Sequence, residues 1–277
     1  MAISINTNYS AFLALQNLNK TNEDIERVQT RLNTGLRVNS PLDDAAVFAV
    51  ANRLRSDIKA YSSVQGNIDR QASALDTAVS AATSINDLLI EMKAVAISAR
   101  DSSLDAAARN TYNAAFTALR DQISTIIKNA SFDGTNLVNA SSTFRVLADT
   151  KGTTFSIALK NLSTTTGGTG SVLSFSGSGT VSTAAKASTM VQKLSTSIAN
   201  LATELSRMGG FAKQINFQKS FVIKLVDNYE NSVSNLVDAD VAKESARLQG
   251  LQIKQQLGVQ ALSIANSAPS ILLALFR

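Results

Sequence analysis

After Pro41 no proline interrupts the chain up to Arg100, and Leu54, Ile58, Tyr61, Ile68, Ala72, Leu75, Val79, Ala82 and Leu89 recur at alternating spacings of three and four, with Gln65 and Asn86 as polar breaks. That period keeps one apolar seam turned towards a partner helix along a supercoil. At 1.5 Å per residue such a helix is about 85 Å long, too long for a compact globular domain and suited to a rod. Ser40 can cap it, Pro41 suits the first helical position, and Asp43 can reach back as in a capping box. Asp43 and Asp44 are thereby explained as helix-start residues, without a catalytic role.

The flanking segments extend the helical reading. From Ala11, the residues Leu15, Leu18, Ile25, Val28 and Leu32 form one stripe on an amphipathic helix. Asn22 and Gln29 interrupt that stripe, and polar residues at seam positions fix register and partner at a cost in stability. Gly35 ends the helix at a position where φ can be positive. A second helix is expected over residues 104–129, with Ala108, Tyr112, Ala115, Leu119, Ile123, Ile126 and Ile127 inward. Beyond Asn129 the period shortens to two: Phe144, Val146 and Ala148, then Phe155, Ile157 and Leu159, flank Asp149-Thr150-Lys151-Gly152 and predict a β-hairpin.

Between residues 163 and 183, all but Val172, Leu173, Phe175 and Val181 are Ser, Thr or Gly, which predicts a surface excursion with no core of its own. Its alternative reading is a platform for O-linked sugars. Helix returns from about Thr183 with Met190, Leu194, Ile198, Leu201 and Leu205 on one face, and Gly209-Gly210 is a candidate break. A last stretch, residues 217–266, carries Val222, Leu225, Val226, Tyr229, Val233, Leu236 and Val237, then Leu248, Leu251, Leu257 and Leu262. The fold class expected is mainly α, with long antiparallel coiled-coil helices from both termini and a central region that contains a β-hairpin and is rich in Ser, Thr and Gly.

Composition closes most chemistry. Without His, Cys or Trp the chain lacks the usual proton shuttle, thiol nucleophile and soft metal ligands, so no enzyme, cofactor or metal site is expected. The paired acids Asp43/Asp44 and Asp238/Asp240 sit at plausible helix starts and have no base or nucleophile to work with. A net charge of +5 does not make a nucleic-acid binder, because Lys and Arg interleave with Asp and Glu and aromatics are only 5%. The first nine residues carry no basic and apolar regions of a secretory signal, and the apolar run at 271–276 is far below the roughly 18 residues of a membrane span.

Met1-Ala2-Ile3-Ser4-Ile5-Asn6-Thr7-Asn8 at the start, and Arg31-Leu32-Asn33-Thr34-Gly35-Leu36-Arg37-Val38-Asn39-Ser40, continued by Asp43-Asp44-Ala45-Ala46, resemble in turn the N-terminus and the Arg-Leu-Ser-Ser-Gly-Leu-Arg-Ile-Asn-Ser motif of the bacterial flagellins. Phe132-Asp133-Gly134-Thr135-Asn136-Leu137, Asp238-Ala239-Asp240, Gln252-Ile253-Lys254-Gln255-Gln256 and the terminal Ile271-Leu272-Leu273-Ala274-Leu275-Phe276-Arg277 also look like family segments. Asn235, where flagellins often carry Arg, and Met208-Gly209-Gly210 depart from it.

The resemblance implies a filament subunit of the short form, exported unfolded and self-assembling through its terminal helices. Residues 1–40 with 236–277 would form the inner-tube coiled coil, 41–140 with 184–235 the helical rod, and 141–183 the hairpin and exposed variable segment. Implied assembly residues are Leu15, Leu18, Ile25, Val28, Leu32, Leu248, Leu251, Leu257 and Leu262, and motif residues are Arg31, Gly35, Arg37, Asn39, Asp43, Asp44, Asp238 and Asp240. Implied partners are further copies, sister flagellins, hook-filament junction and cap proteins, the export machinery and an export chaperone, in an extracellular filament. A junction protein of the same superfamily is the rival reading. In flagellins sensed by animal immunity the stretch matching Glu91 to Ala96 reads Arg-Glu-Leu-Ala-Val-Gln, so Glu91 and Ala96 imply an altered receptor region.

Overall fold

The computed structural model describes residues 7–139, 143–163 and 172–275. Five helices and four short strands follow in the order α1 (Tyr9–Thr34), α2 (Ala45–Ala99), α3 (Ala106–Asn129), β1 (Ser131–Phe132), β2 (Thr135–Asn136), β3 (Thr143–Leu147), β4 (Thr154–Ala158), α4 (Ala184–Val237) and α5 (Val241–Leu275). The chain divides into two compact units, Met1–Ile58 with Asp227–Arg277, and Lys59–Val226. Both α2 and α4 pass from one unit into the other without a break in helix.

The seam read from α2 is the core of the Lys59–Val226 unit. Ile68, Leu75, Ala82 and Leu89 are buried there, with Phe116, Ile123 and Ile127 from α3 and Leu194, Leu201, Met208, Ile215 and Val222 from α4. In α3 the inward position is Phe116, while Ala115 is exposed; the bulkier neighbour wins the core because it removes more apolar area from water. Gly209-Gly210 does not break α4. Met208 and Phe211 are buried on either side, and that packing outweighs roughly 1 kcal/mol of helix propensity lost per glycine.

After α3 the chain turns in a two-residue hairpin at Asp133 and Gly134, both with positive φ (47° and 75°), as an Asp-Gly pair permits. Asn136 holds this turn to α3, its Nδ2 donating to the Ile127 carbonyl at 2.7 Å while its Oδ1 accepts from the N–H groups of Val138 and Asn139. The predicted hairpin follows, with Phe144 opposite Ile157 and Val146 opposite Phe155. Asp149 closes it by accepting from the N–H groups of Lys151 and Thr153 and from the Thr153 hydroxyl. Phe211 of α4 packs against both strands, 6.1 Å from Phe144 and 5.4 Å from Phe155 between ring centres.

Residues 172–181 correct the expectation of a surface excursion. Val172, Leu173, Phe175 and Val181 are all buried in the common core. Polar side chains on α3 and α4 hold the backbone between them: Ser197 Oγ accepts from the Ser174 N–H at 2.9 Å, Asn200 Nδ2 donates to the Val172 carbonyl, Asn113 Oδ1 accepts from the Val181 N–H at 2.9 Å, and Arg120 donates to the Gly179 carbonyl. At Gly179 an added Cβ would stand 2.6 Å from Met190 Cε, so the strap lies directly on α4. The expected surface excursion at 164–171 falls outside the described residues. Next to the strap, Glu204 is buried with its charge met by Arg207 at 2.7 Å and by the Lys160 N–H at 3.2 Å.

One helix start and one helix end also differ from expectation, while Asp240 stands at a helix start as expected. Residues 40–43 form a turn, and α2 begins at Ala45 with Asp44 as its cap, Oδ1 accepting from the N–H groups of Ala46 and Val47 at 3.0 Å. The expected single helix over 217–266 breaks at Asp238-Ala239-Asp240, where Asp240 Oδ1 accepts from the Lys243 N–H and caps α5.

Replacing Phe175 by Ala should lower the unfolding free energy by about 3–5 kcal/mol, as for a large buried aromatic. A urea midpoint unchanged from wild type would show that the strap is not core. Deletion of 164–171 alone should leave that midpoint nearly in place, whereas joining Leu162 to Ala184 should abolish stable folding.

Candidate assembly surface

Helix α1 is capped by Asn8, whose Oδ1 accepts from the Ala11 N–H at 3.1 Å. Its partner is α5, and the pair is antiparallel: Asn8 Nδ2 donates to the Ala265 carbonyl at 2.7 Å, Gln255 Nε2 donates to Asn22 Oδ1 at 2.7 Å, and Arg31 Nη1 donates to Glu244 Oε1 at 3.3 Å. Asn22, which interrupts the α1 stripe, is therefore paired with Gln255 of α5. Gly258 lies opposite Leu18, where an added Cβ would come to 3.3 Å from Leu18 Cδ1.

The buried part of this seam is narrow. Ile25, Val28 and Leu251 are buried, and Leu248 packs against them. Leu18, Leu32 and Leu262 are half-buried, whereas Leu15 and Leu257 remain exposed at 44% and 60%. Gln29 is exposed and not a seam residue, since Val28 and Leu32 take the inward positions of that turn. Around the seam Tyr9, Phe12 and Leu13 on α1, and Ile253, Val259 and Ile264 on α5, are exposed. An apolar surface spread along both helices is more than an isolated soluble pair ordinarily shows.

Glu244 is the interface residue that the apolar pattern did not reveal. It is buried beside Arg31, and Glu244 Oε2 and Arg31 Nε have no hydrogen-bond partner among the described residues. Such a pair adds little net stability, but removing one partner strands a charge. An acidic residue one turn into α5, on the side facing Arg31, is the signal that could have found it.

The motif residues gather where α1 ends and α4 gives way to α5. Gly35 takes φ 69°, and its carbonyl accepts from the Ala239 N–H at 2.8 Å. Leu36 bridges to Asp238, the N–H groups of Arg37 and Val38 donate to the Val237 carbonyl, and Arg37 Nη2 donates to the Leu236 carbonyl at 2.5 Å. Beneath this bridge Val38, Ala51, Val233 and Val237 form a small core. Asp43 Oδ2 accepts from the N–H groups of Ser40 and Asn39 at 3.0 and 3.1 Å, so it reaches back as expected, across a turn. The Ser40 N–H holds its carboxyl below the usual range; burial opposes this, and the Asn39 N–H, the Ser40 hydroxyl and Arg31 add to the lowering.

Glu91 is exposed on α2, but Ala96 is fully buried in the core. Ala96 therefore cannot present a side chain to a receptor on the folded subunit; it sits on the inward face with Leu89 and Met92. Among the described residues no cluster of acidic residues could hold a metal ion, and no helix is long and apolar enough to cross a membrane.

Residues 5–143 match the bacterial flagellin N-terminal helical region, and residues 191–276 match the bacterial flagellin C-terminal helical region. The chain belongs to the bacterial flagellins. This flagellin is 41% identical to flagellin FljM of Caulobacter vibrioides, over 99% of this chain and 98% of that one. It is 37% identical to a flagellin of Brucella melitensis, over 99% of each chain. Its fold is similar to that of a proposed flagellar hook-associated protein from Vibrio parahaemolyticus, with a TM-score of 0.58 and 15% identity, covering 71% of this chain and 100% of that one. At that identity the structural likeness speaks for the fold alone, and the near full-length sequence matches favour flagellin over a junction protein. The flagellin is thus a structural subunit of the flagellar filament, which it builds with other flagellins, and not an enzyme.

Asp44→Ala and Asp240→Ala should each cost about 1 kcal/mol of stability, as lost helix caps do; unfolding curves matching wild type would show that other groups cap α2 and α5. Because the Asp43 carboxyl is depressed in the fold, its contribution is present above its unfolded value of 3.8 and is lost as pH falls through the folded value. Asp43→Asn should therefore flatten the acid limb of stability against pH, which thermal melts between pH 2 and 6 would show.

Proposed function

We infer that this flagellin leaves the cell as an extended chain and completes its terminal folding only on the growing extracellular filament. The observation that carries this reading is the mismatch on α1 and α5 between a narrow buried seam and a wide exposed apolar surface. Ordering the backbone costs about 1–2 kcal/mol per residue, and Ile25, Val28 and Leu251 with their few neighbours offset little of that over helices of 26 and 35 residues. Exposed Tyr9, Phe12, Leu13, Ile253, Val259 and Ile264 supply the missing area once neighbouring copies cover them.

On this reading residues 1–40 and 236–277 line the inner tube, and residues 41–140 and 184–235 form the rod around it, with the strap at 172–181 packed into that rod's core. Leu15 and Leu257 are contacts to neighbouring copies, while Leu18, Ile25, Val28, Leu32, Leu248, Leu251 and Leu262 set the pairing within a subunit. Export machinery and a chaperone for the exposed terminal helices, and junction and cap proteins at the filament's ends, are the partners such a life history needs. A chain with no cysteine has no disulfide to hinder passage through a narrow channel.

Limited proteolysis of monomer should trim both ends and spare residues 41–235, and circular dichroism should gain helix on polymerisation. Termini that resist protease in a monomer already as helical as the filament would defeat folding on assembly.

A further inference from the structure

Between Asp149 and Glu204 the sequence holds no acidic residue, while Lys151, Lys160, Lys186 and Lys193 fall inside that interval. Two of these cations share one surface feature. Where the strap lies on the first turns of α4, an open groove of about 410 Å³ runs beside Lys186 and Lys193, a volume suited to a small ligand or a short stretch of a longer one. Lys186, Thr189, Met190 and Lys193 line its helix side at offsets of three, four and seven, hence from one face. That face is turned outward, since Ala187 and Leu194 are buried in the core on the other side.

The fold does not use up the polar groups of this groove. Met190 is buried as its floor, and Gly179 lies against it: an added Cβ there would stand 2.6 Å from Met190 Cε. Ser178 and Thr180 on the strap and Thr189 on the helix put hydroxyl groups on both walls. No carboxylate pairs with either lysine among the described residues, and Lys186 Nζ reaches only the Ser182 hydroxyl, at 3.4 Å. On the α3 side of the strap, Asp121 is held by Arg120 at 2.8 Å, so its charge is already met.

Seven residues of helix separate the two lysines by about 10 Å along the axis. Two unpaired cations at that spacing, with hydroxyls between them, suit a ligand that repeats negative charge on a hydroxylated frame. A bilayer is flat and would meet a groove only at its rim, and no aromatic ring lines the groove for a base to stack on. We propose that this groove binds a stretch of acidic polysaccharide, with two uronate carboxylates of one chain on Lys186 and Lys193 and the apolar face of a sugar ring on Met190. Lysine-carboxylate hydrogen bonds are charge-assisted, and the hydroxyls of Ser178, Thr180 and Thr189 can both donate to and accept from those of a sugar. The groove lies wholly in the Lys59–Val226 unit, so this binding goes beyond the folding of the terminal helices and does not depend on it.

Titration of the full-length monomer with galacturonate hexamer, followed by ligand-observed nuclear magnetic resonance, tests the proposal. The hexamer should bind, and maltohexaose, a neutral chain of the same length, should bind at least about tenfold more weakly. Lys186→Gln combined with Lys193→Gln should weaken hexamer binding about tenfold, whereas Lys213→Gln combined with Lys224→Gln, the same charge change at exposed lysines further along α4, should leave it within about twofold. Thr189→Phe, an exposed position on the groove wall, obstructs the groove without altering charge and should also weaken binding about tenfold. Wild-type urea midpoints in these variants would confirm that the loss is local. An absence of hexamer binding, equal affinity for maltohexaose, or equal loss from the two lysine pairs overturns the proposal. Sedimentation with phosphatidylglycerol vesicles that the Lys186→Gln, Lys193→Gln protein loses, with hexamer binding kept, would assign the lysines to a bilayer and overturn it too.

Discussion

The seam between α1 and α5 is too small to carry the helices that make it, and much else follows from that shortage. Its buried apolar residues are Ile25, Val28 and Leu251, and its polar crossings, Asn22 with Gln255 and Arg31 with Glu244, contribute direction more than stability. A slip by one helical turn would set Asn22 and Gln255 against apolar neighbours and leave Glu244 without its cation. The pair is therefore specific in register while weak in energy. Those two properties together are what the proposed folding on assembly requires of α1 and α5.

The Lys59–Val226 unit is built the other way. Its core draws on α2, α3, α4, the β3–β4 hairpin and the strap at 172–181, and the strap's backbone is tied by Asn113, Arg120, Ser197 and Asn200. Helices α2, α3 and α4 and the strap each bury large side chains completely, Phe116, Phe175 and Leu194 among them. Such a unit presents side chains held in place by a filled core.

Much of this was legible in the sequence because it is periodic. The three-four spacing along α2 and the alternation in β3 and β4 each encode one buried face, and the structure buries those faces. What was misread depended on competition between equally good local signals. Ser40-Pro41 and Asp43-Asp44 both spell a helix start, and the bridge between residues 36–38 and 237–239 holds the first pair in a turn, leaving Asp44 to cap α2. Gly209-Gly210 reads as a break by propensity alone, but Met208 and Phe211 pack on either side of it. The strap was misjudged for a different reason. Composition counts what a segment could bury within itself, whereas Leu173 and Phe175 enter a core that other elements supply.

The backbone around the strap has a further consequence. The Leu162 N–H donates to the Val138 carbonyl at 2.9 Å and the Val172 N–H donates to the Asn161 carbonyl at 3.0 Å, so Asn161 and Val172 are held side by side. When both ends of a loop are already fixed side by side, lengthening it costs only the entropy of a longer closed ring, about 0.6 kcal/mol for each doubling. Sequence added between Ser163 and Val172 would therefore cost the fold little more than that closure entropy.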